Sequence, residues 1–129
     1  MIAVDTNVLV RLLTGDDQQQ FKKAVALFDN HAVFIPDTVI LESEWVLRYA
    51  YSFTPDAICS AFNKLFGLPN VQVTNPNLIA QAIQWHGRGL DFADALHLAL
   101  SQSYAQFFTF DGKLVRKAKG LCACSVLKP

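Results

Sequence analysis

The sequence predicts an α/β domain with a mostly parallel sheet of about five strands. Short apolar runs alternate along the 129 residues with stretches in which apolar residues recur at helical spacing. Hydrophobic residues make up 52% of the chain and charged residues 17%, a composition that excludes a disordered protein. No internal repeat or low-complexity linker interrupts the pattern, so we expect a single domain over residues 1–129.

Strands and helices are predicted from these runs and from the residues that bound them. Five strands are predicted, at residues 2–4, 32–35, 71–73, 107–110 and 123–127. Seven helices are predicted, at residues 6–14, 16–30, 36–51, 54–67, 75–89, 91–103 and 112–119. Asp5 and Asp91 precede helical patterns as N-caps do, Gly15 and Gly67 follow them, and Pro36 lies near a first turn, where proline is tolerated.

Charge and hydropathy limit the function classes. Lysine plus arginine number 11, as do aspartate plus glutamate, which argues against a protein that holds nucleic acid or an acidic membrane by charge alone. No apolar run reaches the roughly 18 residues needed to cross a bilayer, and the N-terminus lacks a basic signal segment. We therefore expect a cytoplasmic protein without a membrane partner. The high apolar fraction predicts an interface with another chain.

Two aspartates directly follow predicted strands. Asp5 comes after the first strand and Asp111 after the fourth, and ligands bind at the carboxyl ends of strands in open parallel sheets. Taken singly, each is explained as a helix cap or turn residue. The same placement also directs both carboxylates toward the crevice at that edge, and capping does not prevent metal binding.

Helical geometry separates Glu42 from Glu44. Glu44 is four residues before Arg48, the favoured order for a surface ion pair, and is predicted to be solvated. Glu42 shares its side of the helix with Trp45 and Tyr49, where an ionised carboxylate is costly unless it is paired or bound to a metal. Glu42 is therefore predicted as a functional acid; an arginine partner or a neutral buried acid is the alternative.

Asp91 and Asp94 lie three residues apart at the start of a predicted helix. Asp91 fits the N-cap, and Asp94 fits the first turn, where the helix dipole is expected to keep it ionised as a ligand. His97 is interpreted as a core or interface residue, with ligation as the alternative. Crowded carboxylates raise one another's pKa unless a cation intervenes, and an all-oxygen ligand set favours Mg²⁺ or Mn²⁺ over zinc.

Four segments together match a family pattern: DTNVLVRLL, ILESEWVLR, DFADALHLA and FTFD, in that order along most of the chain. The chain resembles a PIN-domain ribonuclease, and more narrowly the VapC-like toxins of bacterial toxin–antitoxin pairs. The resemblance implies a three-layer α/β/α domain and a catalytic, metal-binding site. It places that site on Asp5, Glu42, Asp94 and Asp111, with Asp91 as an extra acid. It also implies that small polar residues orient the acids, at Thr6, Asn7 and Thr109.

The resemblance implies metal-dependent hydrolysis of RNA, a homodimer and an antitoxin partner. RNA binding requires positive charge, and the candidates are Arg11, Lys113, Arg116 and Lys117. Helical spacing places the last three on one face, for which a solvated basic surface is the alternative. Two other functions stay open at this stage: a Mg²⁺-dependent nuclease or phosphoryl hydrolase acting on DNA, and a non-catalytic interaction protein on the same scaffold.

Overall fold

A computed structural model describes residues 1–129 and confirms the alternation of strands and helices. The strands are β1 (Ile2–Ala3), β2 (Val33–Phe34), β3 (Val71–Gln72), β4 (Gln106–Phe108) and β5 (Ser125–Leu127). The helices are α1 (Thr6–Thr14), α2 (Gln18–Asn30), α3 (Asp37–Ala50), α4 (Pro55–Phe66), α5 (Pro76–Gly87), α6 (Phe92–Leu100) and α7 (Gly112–Ala118). None of these helices has the length and apolar composition needed to cross a lipid bilayer.

The chain divides into two compact units, Met1–Pro76 and Asn77–Pro129. In the first unit, β2 pairs in parallel with β1 and with β3, so that Val33 lies opposite both Ile2 and Val71. Helices α1, α3 and α4 supply fully buried side chains, among them Leu9, Leu47 and Phe62. The ladder places the start of α1 at the carboxyl end of β1, as the sequence predicts.

In the second unit, β4 and β5 form a parallel pair in which Phe108 lies opposite Leu127. Trp85 and Phe92, from α5 and α6, are fully buried. The α/β class and the five strands are confirmed, and every pair is parallel. Their hydrogen bonds form one ladder of three strands and one of two, a division that the sequence does not predict because each strand is only two or three residues long.

Helix α6 ends earlier than predicted. Its last residue is Leu100, because the Ser101 amide donates to Leu98 O at 3.0 Å and the Ser101 hydroxyl donates to His97 O at 2.7 Å. These bonds satisfy carbonyl groups that a longer helix would otherwise use, so the prediction of a helix to residue 103 is wrong.

Helix α3 buries a different face from the one that the sequence predicts. Glu44 is only 1% exposed, whereas Glu42, Trp45 and Tyr49 are exposed. The prediction that Glu44 is solvated and that Glu42 lies on a buried apolar face is therefore wrong. The predicted pair between Glu44 and Arg48 is present, with Nε 2.8 Å from Oε2, but its acid is inside the fold.

The packing of α3 explains this result. Ile40 and Leu47 are fully buried, and residues at positions 40, 43, 44 and 47 form one helical stripe that faces the core. Helical spacing fixes which residues share a face, but it does not decide between an aromatic face and an aliphatic one. Here the aliphatic face packs, and Glu44 is carried inside, where Arg48 compensates its charge.

We predict that Arg48→Leu lowers the free energy of unfolding by about 2–3 kcal/mol, because the Glu44 carboxylate would stay buried without its charged donor. Urea denaturation measures the change, with Arg88→Leu as the control that removes an exposed arginine. Adding Glu44→Gln to Arg48→Leu is expected to restore part of the loss. A change below about 0.5 kcal/mol, the range of ordinary surface substitutions, would contradict a stabilising ion pair.

Candidate active site

Asp5 is fixed at the junction of β1 and α1. Its backbone is extended (φ −95°, ψ −179°), and its Oδ1 accepts a hydrogen bond from the Val8 amide at 3.1 Å, which makes it the N-cap of α1. The carboxylate is exposed to solvent, and Oδ2 takes no part in the cap. Asp5 is thus the helix cap that the sequence predicts, and its second carboxylate oxygen lies outside the cap.

Thr6 joins this junction to α3. The Thr6 side chain is 7% exposed, and its hydroxyl donates to Glu42 Oε1 at 2.5 Å. The bond holds the exposed carboxylate of Glu42 beside the residue that follows Asp5. Thr6 therefore restrains an acid, while Asn7 is exposed in the first turn of α1.

In the second unit, Asp111 occupies a junction of the same kind between β4 and α7. Its Oδ1 accepts from the amides of Lys113 at 2.9 Å and Leu114 at 3.3 Å, so it caps α7. The Asp111 amide donates to Thr109 Oγ1 at 3.0 Å. Thr109 thus constrains the backbone of Asp111, and its carboxylate, like that of Asp5, is exposed.

Asp91 and Asp94 stand together at the start of α6. Asp91 Oδ2 accepts from the Asp94 amide at 3.2 Å, which makes Asp91 the N-cap. Burial raises the pKa of Asp94, and the charges of Asp91 and then Asp111 raise it further, while exposed His97 acts in the opposite direction. Burial and like charges therefore act against the ionised form of Asp94. The expectation that the helix dipole keeps Asp94 ionised as a ligand stays a prediction.

The basic candidates of α7 are all exposed. Lys113, Arg116 and Lys117 are accessible to solvent, and Lys117 Nζ donates to Gly89 O at 2.9 Å. Lys128 joins them: a Cβ atom built on Gly112 would lie 3.0 Å from Lys128 Nζ and 3.4 Å from Arg116 Nη1. Two cationic groups therefore stand beside the residue that follows Asp111.

Lys128 was not among the predicted residues, although its position in the sequence contains the information needed to place it. It follows β5 directly, just as Thr109 follows β4, and parallel pairing puts both at the carboxyl end of the ladder. The register of β4 and β5, in which Phe108 lies opposite Leu127, places Lys128 at the same edge as Asp111.

Arg11 is engaged in contacts within the first unit. Its guanidinium lies 3.2 Å from Asp16 Oδ1 and donates to Gln20 at 2.7 Å and to Tyr51 at 2.8 Å. The Tyr51 hydroxyl in turn donates to Asp16 at 2.6 Å. These bonds hold α1, α2 and the end of α3 together. Arg11 therefore has a structural role that was not predicted from the sequence.

The donor set determines which metal the acids suit. Asp5 and Glu42 in the first unit, and Asp91, Asp94 and Asp111 in the second, offer carboxylate oxygens, the donors preferred by Mg²⁺ and Mn²⁺. No group of three or more His, Cys, Asp or Glu side chains is arranged as a ready metal site. The fit therefore rests on donor chemistry and on the raised pKa of Asp94, a cost that a bound cation would offset.

Comparisons with known proteins identify the family of the chain. The family model described as PIN domain matches residues 2–120. Among solved structures, the chain is similar to VapC20 of Mycobacterium tuberculosis, a sarcin-ricin loop cleaving toxin, with 22% identity and a TM-score of 0.45 over 97% of this chain and 99% of that one. No curated protein matches significantly. Since the family match covers most of the sequence, including all five acids, the chain belongs to the PIN domain family.

Proposed function

We propose that this PIN domain is a metal-dependent endoribonuclease that hydrolyses RNA phosphodiester bonds, and that it is the toxin of a toxin–antitoxin pair. The observation that carries the proposal is that hydrogen bonds hold three of the family's acids in place. Asp5 and Asp111 are each fixed by a helix cap, and Glu42 is fixed by the Thr6 hydroxyl. Each of the three is held by one carboxylate oxygen while the other takes no part in the restraining bond, an arrangement that suits a metal ligand.

The proposed metal-binding set is Asp5, Glu42, Asp94 and Asp111, with Asp91 as an additional acid. The ion is Mg²⁺ or Mn²⁺, as the oxygen donors suggest. When bound, such an ion makes water a stronger nucleophile at neutral pH and offsets negative charge on a phosphate. The family pattern supports treating the four acids as one set, and hydrogen bonds within each unit hold the carboxylates of Asp5, Glu42 and Asp111 in place.

The chain's own residues then have distinct tasks. The caps at Asp5 and Asp111 fix two carboxylates without using Oδ2, and Thr6 fixes the third at Glu42 Oε1. Asp94 already carries a raised pKa, so it retains a proton more readily than an ordinary aspartate. Asp94 and Glu42 are both candidates for accepting a proton from the attacking water. No side-chain nucleophile is needed, because water supplies the attacking oxygen.

Positive charge for the RNA backbone comes from α7 and the residue that follows β5. Lys113, Arg116, Lys117 and Lys128 form the proposed basic patch, all of them exposed. Arg116 and Lys128 approach the backbone next to Asp111, which suits contact with a phosphate that neighbours the reacting one. We leave Arg11 out of this surface because its guanidinium is committed to Asp16, Gln20 and Tyr51.

The proposed protein partners are a cognate antitoxin and a second copy of this chain, located with the toxin in the cytoplasm. An apolar groove of about 550 Å³ in the first unit is lined by α1 and α4, with Leu12, Leu13 and Leu65 in its wall and Lys64 at its side. Phe108 and Leu127 are 54% and 38% exposed on the second unit's strand pair. Surfaces of this kind account for the high apolar content of the chain.

Metal binding and catalysis are tested together with Asp5→Asn and Glu42→Gln. Asparagine still caps a helix and glutamine still accepts the Thr6 bond, so the fold is expected to survive while a charged ligand is lost. We predict that millimolar Mg²⁺ or Mn²⁺ raises the melting temperature of the wild type, and that each variant loses most of this gain. RNA cleavage is expected to fall by at least about 100-fold.

Asp29→Asn, which alters an exposed acid of α2, is the matched control and is expected to cleave like the wild type. Cleavage of single-stranded DNA at the same rate as RNA would assign the protein to DNA-cutting nucleases. An Asp5→Asn variant that cuts RNA at the wild-type rate would defeat the proposed site.

The raised pKa of Asp94 gives a pH-dependent prediction. The folded state keeps the Asp94 proton to higher pH than the unfolded state, so the group lowers stability as pH rises above the ordinary pKa of 3.8 and through the raised value. Asp94→Asn is therefore expected to raise the melting temperature at neutral pH in metal-free buffer, and to give no gain below about pH 3.5.

Asp56→Asn provides the control for this experiment. Asp56 lies in the first turn of α4, where the helix dipole favours its charge, so its replacement is expected to change stability slightly in the opposite direction. Equal melting temperatures for the wild type and Asp94→Asn across the pH range would contradict the unfavourable field at Asp94.

The basic patch is tested with the double variant Arg116→Ala/Lys117→Ala. RNA affinity is expected to fall, and the slope of log affinity against log salt to become shallower by about 1.4, since each phosphate that a side chain neutralises on a single strand adds about 0.7 to that slope. The Mg²⁺-induced rise in melting temperature is expected to stay the same. Lys22→Ala/Lys23→Ala on α2 removes two exposed lysines as the control. An unchanged salt slope would remove the patch from the proposal.

A further inference from the structure

Helix α3 exposes two aromatic side chains next to Glu42. Trp45 is 56% exposed and Tyr49 is 63% exposed, and their ring centroids are 5.0 Å apart with the planes inclined at 49°. Positions 42, 45 and 49 follow the i, i+3, i+7 spacing of one helix face. The proposed catalytic acid and the two rings therefore share a surface that the core does not use.

Arg48 adds a planar cation to this surface. Its guanidinium carbon lies 4.6 Å from the centroid of the Tyr49 ring, and its bond to buried Glu44 holds it in place. The Arg48 side chain is 32% exposed. Exposed rings with a stacked guanidinium are the groups on which proteins stack unpaired nucleobases.

We infer that Trp45 and Tyr49, with Arg48 behind them, form an aromatic platform on which unpaired bases of the RNA substrate stack. The inference rests on the proposed function, since it places those bases beside Glu42. Along the helix axis the backbones of Trp45 and Tyr49 lie about 4.5 and 10.5 Å from that of Glu42, a length that about three nucleotides of one strand cover at about 3.4 Å each. The platform thus selects RNA that is unpaired next to the cleaved bond, because a duplex keeps its bases stacked inside.

The competing occupant of this face is a second copy of the chain. An apolar protein surface that covered the rings would also cover Arg48 and Glu42, and removing charged groups from water is costly without new partners. A narrow nucleic acid strand instead places bases on the rings and leaves Glu42 and the Arg48–Glu44 ion pair in contact with water. Because these charged groups keep their water, the face favours a strand that covers only the rings over a second copy of the chain.

The test compares Trp45→Leu/Tyr49→Leu with Trp45→Phe/Tyr49→Phe in a chain that also carries Asp94→Asn, so that cleavage does not consume the probe. Binding of an unstructured RNA oligonucleotide is measured by fluorescence anisotropy. We expect the leucine pair to weaken binding by at least about 10-fold, and the phenylalanine pair to recover most of that loss because it restores the rings. Phe21→Leu removes an exposed ring from α2 as the control, and an abasic oligonucleotide is expected to bind both pairs alike.

A second measurement needs no substitution on the platform. The chain has two tryptophans, and Trp85 is 1% exposed, so fluorescence quenching on addition of RNA reports mainly on Trp45. Quenching by RNA but not by the abasic oligonucleotide is expected. Equal RNA affinity of the leucine and phenylalanine pairs would overturn the platform. So would a leucine pair that binds RNA like the wild type but has a lower mass in sedimentation, since the rings would then contact a second copy of the chain. If one of these results is obtained and the wild type still cleaves RNA, the platform is wrong and the proposed function is retained. If the wild type neither binds nor cleaves RNA, the platform and the proposed function are both wrong.

Discussion

The helix caps at Asp5 and Asp111 are the interactions on which the proposed site depends. Each aspartate stands at the carboxyl end of a parallel strand and accepts amide hydrogens from the helix that follows. These amides satisfy one carboxylate oxygen and set the direction of the side chain, while the second oxygen takes no part in the cap. A structural role and a functional role are thus compatible in one residue, which is why capping alone is a poor argument against a catalytic acid.

Holding acids close together has a cost, and Asp94 shows where that cost falls. Its pKa is raised by burial and by the charges of Asp91 and Asp111, although it lies in the first turn of a helix, where a negative charge is favoured. A bound cation would reverse the sign of that interaction. The raised pKa of Asp94 is thus the local cost of placing three acids near one another in the second unit.

Local chemistry determined which features the sequence could predict. The helix starts at Asp5, Asp91 and Asp111 were predictable because a cap depends on a few neighbouring amides. The solvent exposure of Glu42 was not, because helical spacing does not say whether the aromatic or the aliphatic side of α3 packs. Lys128 was not predicted because its position follows from strand register, and the bonds of Arg11 to Gln20 and Tyr51 were not predicted because these residues lie nine and 40 positions away.

The charge balance of the chain has a different meaning once the acids are assigned. Four of the eleven acids belong to the proposed site, which leaves seven acids against eleven bases on the rest of the chain. A net charge of zero therefore agrees with an RNA substrate, since it combines a negative site with a more basic remainder. The basic residues of α7 and Lys128 form the proposed patch for the charge that an RNA backbone needs.

The central claim is that these acids direct water to cleave RNA, and the chemistry of the new RNA ends tests it most directly. Mapping RNA ends after expression of the wild type and of Asp94→Ala is predicted to show specific new 5′-phosphate ends with the wild type only, since attack by water releases the 3′ oxygen. New ends that carry a 5′-hydroxyl, or the same ends in both samples, would contradict the account.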